Sequence, residues 1–279
     1  MTTWLITGTS RGLGRELTEQ LLARGDRVAA TLRRPEQLNE LSAQYGDALW
    51  TRRLDVTDPV AIGRVVDEAF ANHERIDVVV SNAGYGVFGM GEDLDDAQID
   101  AMLATNLIGS IQLARRVVPR LREQGGGVLV QLSSMGAHIT FPGLAIYHAT
   151  KWGIEGYLEA LAQEIGPFGI KTMLVEPGMV RTSFYDAAES VPLSQPYQGG
   201  PADQPRIPVD EMVGSQSGVA HAIIEAGLSG DPPLRLLLNS DAYALTTAAL
   251  RDRLAAFEAQ RDTAALADND YPVTTTDSA

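Results

Sequence analysis

The chain has 279 residues, is 44% hydrophobic and carries a formal net charge of −14. That length and apolar content suit one large α/β domain with a real core, and so acidic a surface repels nucleic acid backbones and anionic membranes alike. Cysteine is absent and the four histidines show no HxxxH or HExxH spacing, so disulfides, thiolate nucleophiles and a metal site are all unexpected.

Strand-like runs are expected at 3–8, 27–32, 48–56, 77–84, 127–134, 170–178 and 234–238. Several are nearly continuous apolar runs, the pattern of parallel strands covered on both faces. Amphipathic helices are expected over 12–24, 58–73, 97–123, 147–165 and 241–260. The alternation predicts an α/β fold, a doubly wound parallel β-sheet flanked by helices on both faces. Residues 183–215, rich in proline, break the pattern, and a loop that long inside a compact domain points to a substrate loop. The domain is expected to cover 1–261, with a loosely ordered polar tail over 262–279. No apolar run approaches the ~20 residues of a membrane-spanning helix. The first residues lack the pattern of a signal peptide, so a soluble, cytoplasmic protein is expected.

The stretch "ITGTSRGLG" (6–14) follows the first strand and opens the first helix. Gly8, Gly12 and Gly14 permit a tight turn and a close approach of backbone to a pyrophosphate. With Thr9, Ser10, Arg11 and Leu13 they place a free helix N-terminus against an anion. A glycine-rich strand–helix turn is common, but at the first strand–helix junction this pattern predicts the dinucleotide site of a Rossmann-type fold. The second strand ends in Leu32 followed by Arg33 and Arg34, where an NAD site has an acid. Two guanidinium groups there, with Arg11 nearby, suit a 2′-phosphate and predict NADP(H) over NAD(H).

Over roughly 3–240 the chain resembles the classical short-chain dehydrogenases/reductases. The carrying motifs come in family order: "TGTSRGLG" (7–14), "LDVT" (54–57), "SNAG" (81–84), "ATNLIG" (104–109), "SS" before "YHATK" (147–151), and "EPGMVRT" (176–182). Ser81 replaces the family's first Asn in the third motif. "ATLRRP" and "EPGMVRTSF" also look like the hydroxysteroid and retinol dehydrogenase-like branch. The resemblance implies a catalytic tetrad of Asn106, Ser134, Tyr147 and Lys151, with Ser134 the serine at the family's spacing from Tyr147. It implies cofactor contacts from Asp55, Val56, Asn82, Ala83, Gly84, Tyr147, Lys151, Pro177, Gly178, Val180 and Thr182. It also implies a homodimer or homotetramer.

The chemistry can be argued from residue types as well. Only two lysines occur, Lys151 and Lys171, among 22 basic residues. On a helix Tyr147 and Lys151 share one face. A tyrosine is a weak base near neutral pH, and an adjacent ammonium favours its phenolate. A compact ammonium also fits between phenol and ribose where a guanidinium would not. Tyr147 is then the proton donor to a carbonyl oxygen, Ser134 its hydrogen-bonding partner, and Asn106 the holder of a relay water by family analogy. Phe88, His138, Phe141, Leu144, Phe184 and Tyr185 are expected to line a pocket for a neutral, fairly apolar small-molecule substrate. Arg181 and Arg206 are the nearest candidates for an anion clamp. Two other readings stand beside this one: a non-catalytic NADP(H)-binding sensor or scaffold, and a sugar-nucleotide epimerase or dehydratase.

Overall fold

The computed structural model describes residues 1–201, 203 and 207–268. Arg206, part of the expected loop and one of the two candidate clamps, lies outside the described residues, as does 269–279 of the expected tail. Among the described residues, seven strands form one sheet: β1 (Thr3–Thr7), β2 (Arg27–Leu32), β3 (Leu49–Arg53), β4 (Val78–Ser81), β5 (Gly127–Leu132), β6 (Ile170–Pro177) and β7 (Arg235–Leu238). Their order is β7-β6-β5-β4-β1-β2-β3, with every neighbouring pair parallel. The doubly wound parallel sheet read from the apolar runs is therefore present. β1, β3, β4, β5 and β6 stop short of their sequence runs at the carboxyl end, where the chain turns into the loops of the site, whereas β2 fills its run and β7 loses only Leu234 at its amino end.

Alternate side chains on each strand enter two different cores. Trp4, Ile6, Val28, Ala30, Val78, Val80, Met173 and Val175 pack with Leu17 and Leu21 of α1 (Gly12–Arg24) and with Val219 and Ile223 further along the chain. Leu5, Ala29, Val79, Leu129 and Leu174 face the other way. There they meet Val65 of α3 (Pro59–Asn72), which follows the short α2 (Asn39–Tyr45). They also meet Leu113 of a long helical segment and Ile154 and Leu158 of the one after it. The long segment is not a uniform helix: α4 (Asp96–Met102) and α5 (Gly109–Glu123) are joined by a π-helical turn at Leu103–Ile108. Such turns widen a helix locally and concentrate at functional sites. The next helix, α6, covers Ala145–Ile165.

Two helices were not legible from periodicity. α2 is only two turns, and α7 (Gln216–Gly227) opens on a glycine-containing stretch that masks its apolar spacing. The Ser215 hydroxyl caps α7 by accepting from the Gly218 N–H at 3.0 Å. Gly227 lets α7 pass close to the core, since a Cβ there would lie 2.9 Å from the Trp4 ring. α8 (Ser240–Glu258) matches the expected last helix. Beyond it lies the short α9 (Arg261–Ala265), whose alanines favour helix and whose residues are all exposed.

The expected substrate loop is pinned to the body at both ends. Val180–Arg181 pairs with Gly214–Ser215, and Val87–Phe88 pairs with Glu189–Ser190. Between them lie single helical turns at Phe184–Ala187, Gln195–Tyr197 and Val209–Glu211. Among the described residues no helix is long and apolar enough to cross a membrane.

Leu113 is 1% exposed at the centre of the second core. Leu113→Ala should lose about 2–5 kcal/mol of unfolding free energy, read as a lower urea midpoint with an unchanged slope.

Candidate active site

Because all seven strands run the same way, their carboxyl ends share one edge, and a cleft of about 1560 Å³ opens there. The chain departs to opposite faces on either side of β1, and the crevice this creates is the usual ligand site of such sheets. Gly8, with φ at 74°, makes the turn after β1, and a Cβ on it would sit 2.8 Å from the Ala83 Cα. Gly14 is tighter: its Cβ would lie 2.4 Å from both the Gly8 carbonyl oxygen and the Asn82 Nδ2. Asn82 is the brace of this turn. Its Nδ2 donates to the carbonyls of Thr7 at 2.8 Å and Gly8 at 3.1 Å. The Thr7 hydroxyl in turn accepts from the Asn82 and Ala83 N–H groups. The serine at position 81 is used locally: its hydroxyl donates to Ser110 on α5 at 3.2 Å.

Ser10, Arg11, Gly12 and Leu13 line the cleft, with Asn82, Ala83 and Gly84 opposite. Thr9 does not line it. Its fully buried hydroxyl donates to the Thr31 carbonyl and ties the turn to β2. Gly14 lies beneath the turn rather than on the cleft wall. Arg11 precedes α1 in extended conformation without capping the helix through its side chain, and the first turn holds no acid. The leading N–H groups of α1 are thus uncapped donors at the positive end of a helix dipole, the donor set that an anionic pyrophosphate fits. Further along, Leu32, Arg33, Arg34, Asp55, Val56 and Thr57 line the same cleft. Arg33 and Arg34 are exposed, and among the described residues no carboxylate forms a salt bridge with either, or with Arg11. The Asp55 carboxyl is held below its ordinary range chiefly by the Thr57 backbone N–H, against burial, with Arg33 and Arg53 adding to the fall.

At the other end of the cleft, Ser134, Tyr147 and Lys151 come together. Ser134 follows β5, and its Oγ accepts from the Gly136 N–H at 3.0 Å. It shares a side-chain hydrogen bond with Tyr147. Lys151 is 8% exposed, donates to the Leu132 carbonyl at 2.9 Å, and holds its Nζ 5.6 Å from the centre of the Tyr147 ring. Burial pushes the Tyr147 pKa up, with the Ser134 bond opposing, and pushes Lys151 down to about 8. The expectation that the ammonium governs the phenol thus needs correcting for the protein alone, where loss of solvation is the larger influence. Asn106 sits in the π turn and does not reach the cleft wall. Its amide donates to the Tyr85 carbonyl at 2.8 Å and accepts from the Tyr85 N–H at 3.1 Å, so it fixes the segment after Gly84.

Pro177, the last residue of β6, lines the cleft with Gly178, Val180 and Thr182 beyond it. Gly178 leaves room there for the Asp241 side chain, since a Cβ would come within 2.6 Å of three atoms of its carboxylate. That carboxylate accepts from the Met179 N–H at 2.8 Å. Phe88, Phe141, Leu144, Phe184 and Tyr185 line the open end as expected. The rings of Tyr147, Phe184 and Tyr185 pack edge-on in sequence. Burial raises the Tyr185 pKa, so its phenol stays neutral.

His138 departs from expectation. It is buried away from the cleft, with Nε2 2.8 Å from Glu176 Oε2, because two carboxylates and an arginine behind the site hold it there. The histidine that does line the cleft is His148. Its Nε2 accepts from the Phe141 N–H at 2.9 Å, which leaves Nδ1 to donate to the Gly136 carbonyl at 2.8 Å. Burial lowers its pKa, in keeping with this neutral tautomer. The helical phase contained the signal, since 144, 147, 148 and 151 share one face. Arg181 is exposed and does not line the cleft.

The sequence pattern of the short chain dehydrogenase family matches residues 2–191. Oxidoreductase BOA17 of Botryotinia fuckeliana is 39% identical over 244 residues, covering 86% of this chain and 89% of that protein. The 3-ketodihydrosphingosine reductase of Bacteroides thetaiotaomicron is 33% identical over 183 residues, 65% of each chain. A short-chain dehydrogenase from Streptomyces avermitilis superposes with a TM-score of 0.87 at 34% identity, covering 96% of this chain and 100% of that one.

The two glycines of the turn should respond differently to a methyl group. Gly12 has open space around its Cβ position and pays only for its φ of 60°, whereas Gly14 faces backbone at 2.4 Å. Gly14→Ala should therefore lower the thermal midpoint more than Gly12→Ala, which is expected to cost about 1 kcal/mol.

Proposed function

The chain belongs to the short-chain dehydrogenase family of oxidoreductases, and we propose that it uses NADP(H) to interconvert a carbonyl and its alcohol on a neutral, fairly apolar small molecule. One observation carries this reading: Ser134, Tyr147 and Lys151 converge on a cleft that continues, without a break, to the uncapped start of α1 and to Arg33 and Arg34. A site with that shape suits a long dinucleotide with an anionic middle and a further phosphate at one end.

When bound, the nicotinamide supplies the hydride chemistry. The chain's own residues do the rest. The start of α1 holds the pyrophosphate, and Arg33 with Arg34 takes the 2′-phosphate as charge-assisted hydrogen-bond donors. Pro177 to Thr182 borders the reacting end. Tyr147 gives its hydroxyl proton to the substrate oxygen as negative charge develops there in reduction, and takes it back in oxidation. Ser134 hydrogen-bonds the same oxygen and stabilises that charge. Burial keeps Tyr147 protonated, the state that an acid needs. Lys151 places a positive charge beside the phenol and so eases departure of the proton.

The substrate end supports the apolar preference. Phe88, Phe141, Leu144, Phe184 and Tyr185 form its wall, while Lys151 is the one lysine or arginine bordering that end among the described residues. The name of the Bacteroides relative, a 3-keto compound reductase, is in keeping with a ketone as substrate.

The deciding assay is NADPH consumption across ketones and aldehydes graded from small and polar to bulky and apolar. Turnover should rise toward the apolar members. Tyr147→Phe should lose about 10²–10⁴-fold in rate while still binding NADPH; a variant that kept most of the activity would defeat the assignment. No turnover of any carbonyl by protein that binds NADPH would favour a sensor instead.

Arg33→Ala should weaken NADPH binding about 10–100-fold, the loss of a charged hydrogen bond, and leave NADH binding nearly unchanged. Tighter binding of NADH than NADPH by the unaltered protein would overturn the selectivity.

A further inference from the structure

Behind the catalytic face lies a buried ionic cluster that the chemistry above leaves unused. Arg235 on β7 places Nη1 2.6 Å from Glu155 Oε2 and also pairs with Glu176, while its Nη2 donates to Glu159 Oε1 at 2.7 Å. His138 Nε2 lies 2.8 Å from Glu176 Oε2 and 3.9 Å from Glu155 Oε2. The Ser133 hydroxyl donates to Glu155 Oε1. The ligand atoms of His138, Glu155 and Glu176 fall within 4.8 Å of one another, a spacing that a metal could use. Here the guanidinium of Arg235 already stands among them, 3.2 Å from the His138 Nε2, so a second cation would meet a like charge. The cluster is electrostatic in purpose.

Glu155 and Glu176 are 3% and 2% exposed, and one guanidinium opposes these two carboxylates. Lys151, 8% exposed, lies one helical turn before Glu155 on α6. Its hydrogen bond goes to a neutral carbonyl, that of Leu132, and a buried charge without an opposite charge is costly. Glu159, a further turn along, is 44% exposed and engages the outer edge of Arg235.

We propose that Glu155 is a positioning residue of the site: its carboxylate is the counter-charge that keeps Lys151 an ammonium, and Arg235 with Ser133 keeps that carboxylate ionised. Its consequence for turnover rests on the oxidoreductase reading, whereas its consequence for Lys151 does not. The electrostatics run the same way. Burial drives Lys151 down to about 8, and Glu155 opposes the fall. Burial drives Glu155 up, with the Ser133 hydroxyl and Arg235 acting against it and Glu176 with it. The groups facing the pair are Tyr147 and Glu159 on α6, His138 after β5, Glu176 on β6 and Arg235 on β7. Removing the carboxylate takes away support for the charged amine, so Lys151 must lose its proton at lower pH.

The near absence of lysine makes this directly measurable. Protein grown with lysine isotopically labelled at Cε should give two side-chain signals, one for each lysine. Lys171, 51% exposed and 2.9 Å from Asp231, lies outside the site, and Lys171→Arg identifies its signal. In Glu155→Gln the Lys151 titration midpoint should fall by about one pH unit or more, with Lys171 unmoved. A folded Glu155→Gln protein whose Lys151 midpoint stays in place would overturn the proposal. Should that variant not fold, Glu155→Gln with Arg235→Gln replaces both partners by neutral amides, a change that buried pairs tolerate better than loss of one. There the midpoint should still fall, because Glu155 acts on Lys151 from one helical turn away and Arg235 is not among the groups that shift it; a rise or no change would overturn the proposal. The titration needs no substrate, so a protein that turned over no carbonyl would refute the reductase reading and leave this result to stand or fall alone.

Discussion

The backbone passes so close to itself after β1 that no side chain fits, and everything at the mouth of the sheet is arranged around that approach. Gly8 and Gly14 give the space, and the amide of Asn82 fills what remains by holding the carbonyls of Thr7 and Gly8. The bond joins the carboxyl ends of β1 and β4 at the point where the chain departs to opposite faces. Without it α1 would not begin where its uncapped N–H groups border the cleft. The same brace fixes Ala83 and Gly84, and through Tyr85 it reaches Asn106 in the π turn. The family's asparagine-rich motif thus belongs to the architecture of the turn as much as to a ligand.

Most of the frame was legible because it obeys local rules. A parallel strand buried on both faces must be a short apolar run, and all seven expected runs became strands. The glycine turn and the Tyr147–Lys151 helical pair are local in the same sense. What stayed hidden was set by distant partners. His138 reads as a polar residue in an apolar loop, and only contact with Glu176 and Arg235, 97 residues away from it in sequence, takes it out of the pocket. Arg235 reads as one more charged residue beginning an edge strand. α7 was obscured because Gly218 in its first turn weakens its helical signature.

The site joins two kinds of environment. Toward Arg33, Arg34 and Asp55 the cleft borders solvent, and the hydrogen bonds of Thr57 hold the Asp55 carboxyl low. Toward Tyr147 and Lys151 burial decides, lifting one pKa and lowering the other. Burial thus drives the two groups apart on the pH scale, the phenol above its ordinary value and the amine below its own, so that Tyr147 is held as the protonated acid. The pocket's aromatic wall sustains that condition by keeping the recess apolar.

The rarity of lysine has a practical side. Lys151 is enclosed, and Lys171 lies one residue into β6, at the amino end of a parallel sheet whose cleft opens at the carboxyl ends. An amine preceding β1 would emerge at that same amino end. Coupling through amines therefore grips the molecule by its base. A surface prepared in this way would hold the protein in nearly one orientation, with every mouth turned toward the solution.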